Sequence, residues 1–174
     1  MSTPTDIVID INIFINAANP GSPFQSECVA FLRRVDALQK STGLRVREPP
    51  LFVLEFFAVH NRTKETSDFG LYPERFYTPT TQPLKTTIEP FDENYAHEFL
   101  DAFVCAFPVQ TKGEKRHPFV KRGADLEFLA VSRKYDCQFV TTDDALLEYG
   151  RLGFAKTLLP SDWILAQDAP MADT

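Results

Sequence analysis

The chain has 174 residues, of which 44% are hydrophobic, and its formal net charge is −6. This length fits one domain with room for an insertion, and the apolar content is enough for an ordinary core. The three cysteines have no C-x-x-C spacing, which argues against a disulfide framework or a zinc knuckle. No stretch reaches the roughly 20 apolar residues of a membrane span, so we expect a soluble, cytoplasmic protein.

The first half of the chain predicts a strand followed by two helices. Residues 6–9 form an apolar run that is typical of a buried parallel strand, and the run ends at Asp10. Apolar side chains recur at helical spacing over residues 23–38, and a second helix is predicted over residues 49–60. Residues 61–83 are polar, rich in proline and interspersed with aromatic side chains, which predicts an insertion loop.

The second half alternates strands with helices. The predicted elements are a strand at 86–88, a helix from Asp92, a helix at 123–135, a strand at 137–140, a helix at 145–149, a strand at 156–159 and a short helix at 160–165. This alternation predicts a three-layer α/β/α sandwich around a mainly parallel central sheet. We expect residues 1–166 to form this single domain and residues 167–174 to be a disordered tail.

Two aspartates directly follow apolar strands, at the edge of the sheet where ligands bind in open α/β folds. Asp10 ends the first strand, and Asp143 ends the strand at 137–140. Each could instead cap the helix that follows it. Asp143 is followed directly by Asp144, so the sequence leaves open which of the two side chains points inward. We expect Asp144 to face solvent or to cap the helix at 145–149.

Two further carboxylates lie on predicted helices. Glu55 sits in a segment that is apolar all round, where a lone charge is costly unless it is paired, protonated or bound to metal. An internal salt bridge to Arg or Lys is its alternative. Asp125 begins a helix, where the macrodipole favours negative charge, so helix capping is its alternative. Carboxylates that are brought together repel one another, and all-oxygen ligation around Mg²⁺ or Mn²⁺ would make such a cluster stable.

These segments resemble those of the PIN-domain nucleases, a family that includes the VapC toxins of toxin–antitoxin pairs. The matching segments are residues 7–12, 54–56, 123–130 and 139–143. The last two acids are 143 − 125 = 18 residues apart, a spacing that is common in the family. The resemblance covers nearly the whole chain except the loop at 61–83.

The resemblance implies a PIN-like fold and a metal-dependent endoribonuclease, with the toxin of a type II toxin–antitoxin pair as one such role. Mg²⁺ or Mn²⁺ would then be held by four acids, namely Asp10, Glu55, Asp125 and Asp143. Asn12 and Thr141 would orient the carboxylates or the attacking water. The resemblance also implies an RNA substrate, a homodimer and an antitoxin partner.

The charge distribution leaves an alternative open. Basic residues concentrate just before Asp125, at Lys112, Lys115, Arg116, Lys121 and Arg122. Phosphate steering and a solvated loop are equally open for this segment. A net charge of −6 disfavours binding of a polyanion and therefore weakens the case for a nucleic-acid enzyme. The alternative function is a non-catalytic PIN-fold module that binds RNA or protein. A phosphatase of the haloacid-dehalogenase type is disfavoured, because it needs a second Asp where this chain has Asn12.

Overall fold

The structure is a computed structural model that describes residues 6–52, 84, 86–106 and 123–168. At residues 103–106 and 123–124 it describes the backbone alone. The predicted insertion at 61–83 and most of the predicted tail lie outside these residues. Of the helices that the structure does describe, none has the length and apolar character needed to cross a membrane.

Strands and helices alternate along the described chain. Their bounds are β1 Asp6–Ile9, α1 Ile11–Ala18, α2 Gln25–Thr42, β2 Arg45–Glu48, β3 Thr86–Ile88, α3 Glu93–Ala106, α4 Gly123–Lys134, β4 Gln138–Val140, α5 Asp144–Arg151, β5 Lys156–Leu158 and α6 Pro160–Asp168. Residues 50–52 are also helical, which agrees with the predicted helix start near Pro49.

The five strands form one parallel sheet in the order β3-β2-β1-β4-β5. β1 lies at the centre, where Val8 is the register partner of both Arg47 in β2 and Phe139 in β4. All four residues of β1 are buried, as expected for a parallel strand that helices cover on both faces. The predicted three-layer α/β/α sandwich is therefore confirmed.

Aromatic pairs hold the helices against the sheet and against one another. Phe128 of α4 stacks on Phe139 of β4 with their ring centroids 5.9 Å apart. Phe31 of α2 meets Trp163 of α6 edge-on, with centroids 5.1 Å apart, and both rings are fully buried. These contacts fix α2, α4 and α6 in place, and α4 carries one of the predicted site acids.

Two elements were not predicted from the sequence. The helix α1 begins directly after Asp10, although six of its eight residues are Ile, Asn or Phe, which have only modest helix propensity. The strand β2 has the sequence Arg-Val-Arg-Glu, so three of its four residues are charged and no apolar pattern marks it. In both cases tertiary burial outweighs the local preference of the sequence.

The last helix is longer than predicted. α6 continues to Asp168, so residues 167 and 168, which the sequence assigned to a disordered tail, are helical. An ion pair explains the extension, because Arg34 of α2 lies 2.6 Å from the Asp168 carboxylate. The prediction was wrong at these two positions, since the pairing partner is more than 130 residues away in sequence.

The buried charge of Arg47 on β2 is neutralised by its neighbours. The guanidinium of Arg47, only 9% exposed, pairs with Asp6 at 2.6 Å and also with Glu89, which is itself almost fully buried. The ring of Tyr135 lies 3.7 Å from the same guanidinium, and its hydroxyl donates to Glu89. Arg45 supplies a second cation to Asp6 at 2.8 Å. This network ties β1, β2 and the segment after β3 together.

Replacing the central cation of this network should destabilise the fold strongly. In Arg47→Met two buried carboxylates lose a partner, and we expect the free energy of unfolding to fall by about 3–5 kcal/mol. The matched control is Arg151→Met, which removes an exposed arginine paired with Glu148 and should change stability by less than about 1 kcal/mol. Urea unfolding of both variants measures this difference. Equal losses would show that burial of the Arg47 network contributes nothing specific.

Candidate active site at the carboxyl edge of the sheet

Asp10 lies at the carboxyl end of the central strand. Its backbone N–H donates to the Val140 carbonyl at 2.9 Å, and the residue is only 3% exposed. Oδ1 accepts a hydrogen bond from the backbone N–H of Asn12 at 3.0 Å, so Asp10 is the N-cap of α1. The Asn12 side chain donates to Oδ2 at 3.3 Å. The capping role that the sequence left open is therefore present, and it fixes the carboxylate in place.

The Thr141 hydroxyl joins the ends of the two central strands. Thr141 is fully buried, and its Oγ1 donates to Oδ2 of Asp10. The same Oγ1 accepts a hydrogen bond from the backbone N–H of Asp143 at 2.9 Å. One side chain thus orients the Asp10 carboxylate and positions the backbone of Asp143.

Of the adjacent aspartates, Asp143 rather than Asp144 caps the following helix. Oδ1 of Asp143 accepts from the Ala145 N–H at 2.9 Å, and its backbone is extended, as an N-cap residue requires. Asp144 lies in the first turn of α5 and is exposed. Of the two expectations for Asp144, exposure to solvent is therefore correct and helix capping is wrong.

A second hydrogen-bond path supports the segment that carries Thr141 and Asp143. Asn16 Nδ2 donates to Thr142 Oγ1 at 3.0 Å, and Ser22 Oγ donates to Asn16 Oδ1 at 2.8 Å. The sequence analysis missed Asn16. Its spacing of four residues from Asn12 would have placed both amides on one face of a helix, had α1 been predicted.

Burial and a neighbouring acid change the ionisation of Asp10. Burial, with a smaller contribution from the carboxylate of Asp125, raises its pKa to about 6, although hydrogen bonds from Thr141 and Asn12 oppose the shift. Asp125 lies in the first turn of α4 and is partly buried. The structure therefore brings acids from β1 and α4 within electrostatic reach of each other.

Glu48 is a buried acid that the sequence analysis missed. It ends β2, one residue after Arg47, and its side chain has no solvent exposure. Neither of its carboxylate oxygens has a hydrogen-bond partner among the described residues. Burial, and after it the charge of Asp10, raise the pKa of Glu48 well above the ordinary value; the backbone N–H of Ile9, which lies near but outside hydrogen-bonding geometry, opposes this shift.

Several predicted site residues lie outside the described part of the chain. They are Glu55 and the basic residues Lys112, Lys115, Arg116, Lys121 and Arg122. Among the residues that are described, no three Asp, Glu, His or Cys side chains form a group that could hold a metal ion by itself. The acids that do approach one another offer only oxygen, and Glu48 has unpartnered oxygens, which suits a hard divalent cation.

The raised pKa of Asp10 makes a prediction about stability without metal. The folded state holds the proton more tightly than the unfolded state, in which the pKa is near 3.8. Stability from this group is therefore complete below pH 4 and is lost as the pH rises through about 6. We expect Asp10→Asn to raise the free energy of unfolding at pH 8 by about 1–3 kcal/mol in EDTA, and by much less at pH 4.

The control for this measurement is Asp144→Asn, which removes an exposed carboxylate close to the same site. It should change stability by no more than about 0.5 kcal/mol at either pH. Chemical unfolding at the two pH values measures both variants. An Asp10→Asn protein that is less stable than the wild type at pH 8 would contradict the assignment of a buried, electrostatically strained carboxylate.

The arrangement of the sheet and helices is that of a PIN-like α/β/α sandwich. The structure is similar to the crystal structure of FitAcB from Neisseria gonorrhoeae, with a TM-score of 0.51 and 17% sequence identity over 89% of this chain and 98% of that chain. At this identity the similarity shows the fold alone. No protein-family model matches the chain, and no curated protein matches it either.

Proposed function

We propose that the protein is a metal-dependent endoribonuclease whose active site lies at the carboxyl edge of the sheet. The observation that carries this proposal is the buried Asp10, which Thr141 connects to Asp143 and which interacts electrostatically with Asp125. The PIN-like fold supports the assignment to nuclease-type hydrolases, but only at the level of the fold. The motifs that resemble the PIN-domain nucleases support the narrower reaction.

The proposed cation is Mg²⁺ or Mn²⁺, since carboxylate oxygens are the ligands that these ions prefer. The ligands would be Asp10, Glu55, Asp125 and Asp143. When bound, such an ion polarises a phosphodiester and makes water a better nucleophile at neutral pH. A pKa of about 6 leaves Asp10 mainly ionised at pH 7, so it can act as a ligand without a large change of pH.

The proposed reaction also depends on the groups that hold the Asp10 carboxylate in position. The Thr141 hydroxyl and the Asn12 amide each bond Oδ2 of Asp10, and the backbone N–H of Asn12 bonds Oδ1. Because both oxygens are fixed before any substrate binds, little reorganisation is needed when charge develops on the phosphate. Asn12 and Thr141 are thus proposed as positioning residues, as the sequence analysis expected.

The substrate and partners follow from the same resemblance. RNA is the proposed substrate, and the basic segment before Asp125, from Lys112 to Arg122, would attract its phosphates. We also propose that the protein forms a homodimer and acts as the toxin of a type II toxin–antitoxin pair, with a small antitoxin protein as its partner. The competing function is a non-catalytic module that binds RNA or protein, which the net charge of −6 favours.

Cleavage of single-stranded RNA by the purified protein tests the enzymatic proposal. We expect cleavage with Mg²⁺ or Mn²⁺, none in EDTA, and a loss on the order of 100-fold or more in Asp10→Asn. Thr141→Val keeps the shape of the side chain but removes the bridging hydroxyl, and it should cost about 10- to 100-fold. Asp144→Asn is the matched control, since this exposed neighbour should leave the rate unchanged.

Two outcomes would overturn the proposal. Cleavage that persists in EDTA and in Asp10→Asn would mean that another site or a contaminant carries the activity. A folded protein that binds RNA or a partner but cleaves no RNA with either metal would favour the non-catalytic module.

A further inference from the structure

We propose that Glu48 is a further cation ligand of this site and supplies a carboxylate oxygen to the divalent ion that Asp10 binds. The inference rests on the proposed function, and it adds an acid to the four that the sequence predicts. Glu48 lies on a strand that was not predicted from the sequence, and three of its properties support the role: its position, its burial and its lack of hydrogen-bond partners among the described residues.

The sheet fixes the position of Glu48. Val8 and Arg47 are register partners, so the next residues, Ile9 and Glu48, lie side by side at the ends of β1 and β2. The Glu48 carbonyl accepts a hydrogen bond from the Glu89 N–H at 2.9 Å, which holds this end of β2 from its other side. Groups that stand on paired strands are placed more accurately than groups on loops, which is what metal ligation requires.

A comparison with Glu89 shows what a purely structural buried acid looks like in this chain. Both glutamates are almost completely buried. Glu89 has the guanidinium of Arg47 on one oxygen and the Tyr135 hydroxyl on the other. Glu48 has no hydrogen-bond partner on either oxygen among the described residues. Burying a carboxylate without such partners is strongly unfavourable unless it is protonated or bound to a cation.

Among the described residues, no cation lies where it could neutralise Glu48, and the backbone N–H of Ile9 opposes the rise in its pKa only in part. Arg47, the cation next to it in sequence, already binds Asp6 and Glu89. The two residues that follow are Pro49 and Pro50, and neither of these positions has a backbone N–H to donate. The charged neighbour that acts on Glu48 is Asp10, which has the same sign. A divalent cation shared by the two acids would stabilise both.

The test compares Mn²⁺ binding in three buried-acid variants. Glu48→Gln keeps the size of the side chain but removes its charge, and we expect the Kd for Mn²⁺ to rise about tenfold or more, with a smaller Mn²⁺-dependent rise in Tm. Asp10→Asn should lose Mn²⁺ binding. Glu89→Gln is the matched control: it should lower the Tm without metal but leave the Kd within about twofold. Calorimetry and thermal unfolding give both quantities without an activity assay.

The outcomes separate this inference from the proposed function. Wild-type binding that Asp10→Asn abolishes and Glu48→Gln leaves unchanged would overturn the role of Glu48 while the proposed function stands. A wild-type protein that binds no Mn²⁺ would overturn both. If Glu48→Gln does not fold, Glu48→Leu makes the same measurement with an apolar side chain, and an unchanged Kd there would equally reject the inference.

Discussion

The Thr141 hydroxyl makes the contact on which the arrangement at the strand ends depends. Parallel pairing brings the carboxyl ends of β1 and β4 to one edge, and this hydroxyl then links the Asp10 side chain to the Asp143 backbone. A helix begins immediately after each aspartate, with that aspartate as its N-cap. Two carboxylates are thereby held where helix dipoles partly offset their charge.

Helix capping and membership of a metal site were alternatives when only the sequence was considered, and the structure makes them compatible. In Asp10, one carboxylate oxygen accepts the N-cap bond, while the other accepts from two side chains. A carboxylate held in this way loses little conformational entropy on binding a cation, because the strand end and the helix have already ordered it. The N-cap hydrogen bond that starts the helix therefore also fixes the orientation of the carboxylate in advance.

Arg47 and Glu48 are consecutive buried charged residues of β2, and their surroundings differ. Side chains alternate between the faces of a strand, so the two point to opposite faces. On the face of Arg47, the guanidinium, two carboxylates and an aromatic ring form a neutralised network that stabilises the fold. On the face of Glu48 the described residues provide no such partner. That Glu89 is neutralised while Glu48 has no hydrogen-bond partner among the described residues supports the inference that Glu48 serves a function beyond stability.

Alternation of apolar strands and amphipathic helices was enough to predict the fold class, four of the five strands and the positions of Asp10 and Asp143. What escaped prediction has a common cause. The strand β2 is buried although three of its four residues are charged, because its partners come from β1 and from the segment after β3. Since no local pattern encodes those pairings, neither the strand nor the burial of Glu48 could be predicted from the sequence. The contacts of Asn12 and Thr141 with Asp10 were expected from the resemblance, whereas Glu55 stays a prediction.

The acidity of the chain is consistent with the proposed chemistry once the location of the charge is considered. A nuclease that binds its substrate mainly through Lys and Arg needs a basic surface, because counterion release provides much of the affinity. A nuclease that concentrates carboxylates at one sheet edge instead binds the phosphate through the cation that those carboxylates hold. In a protein with the proposed site a formal charge of −6 would not oppose function, since the acids beside Asp10 would then favour a divalent ion over a monovalent one. Under the proposed function, the net charge therefore bears on where RNA would bind on this protein.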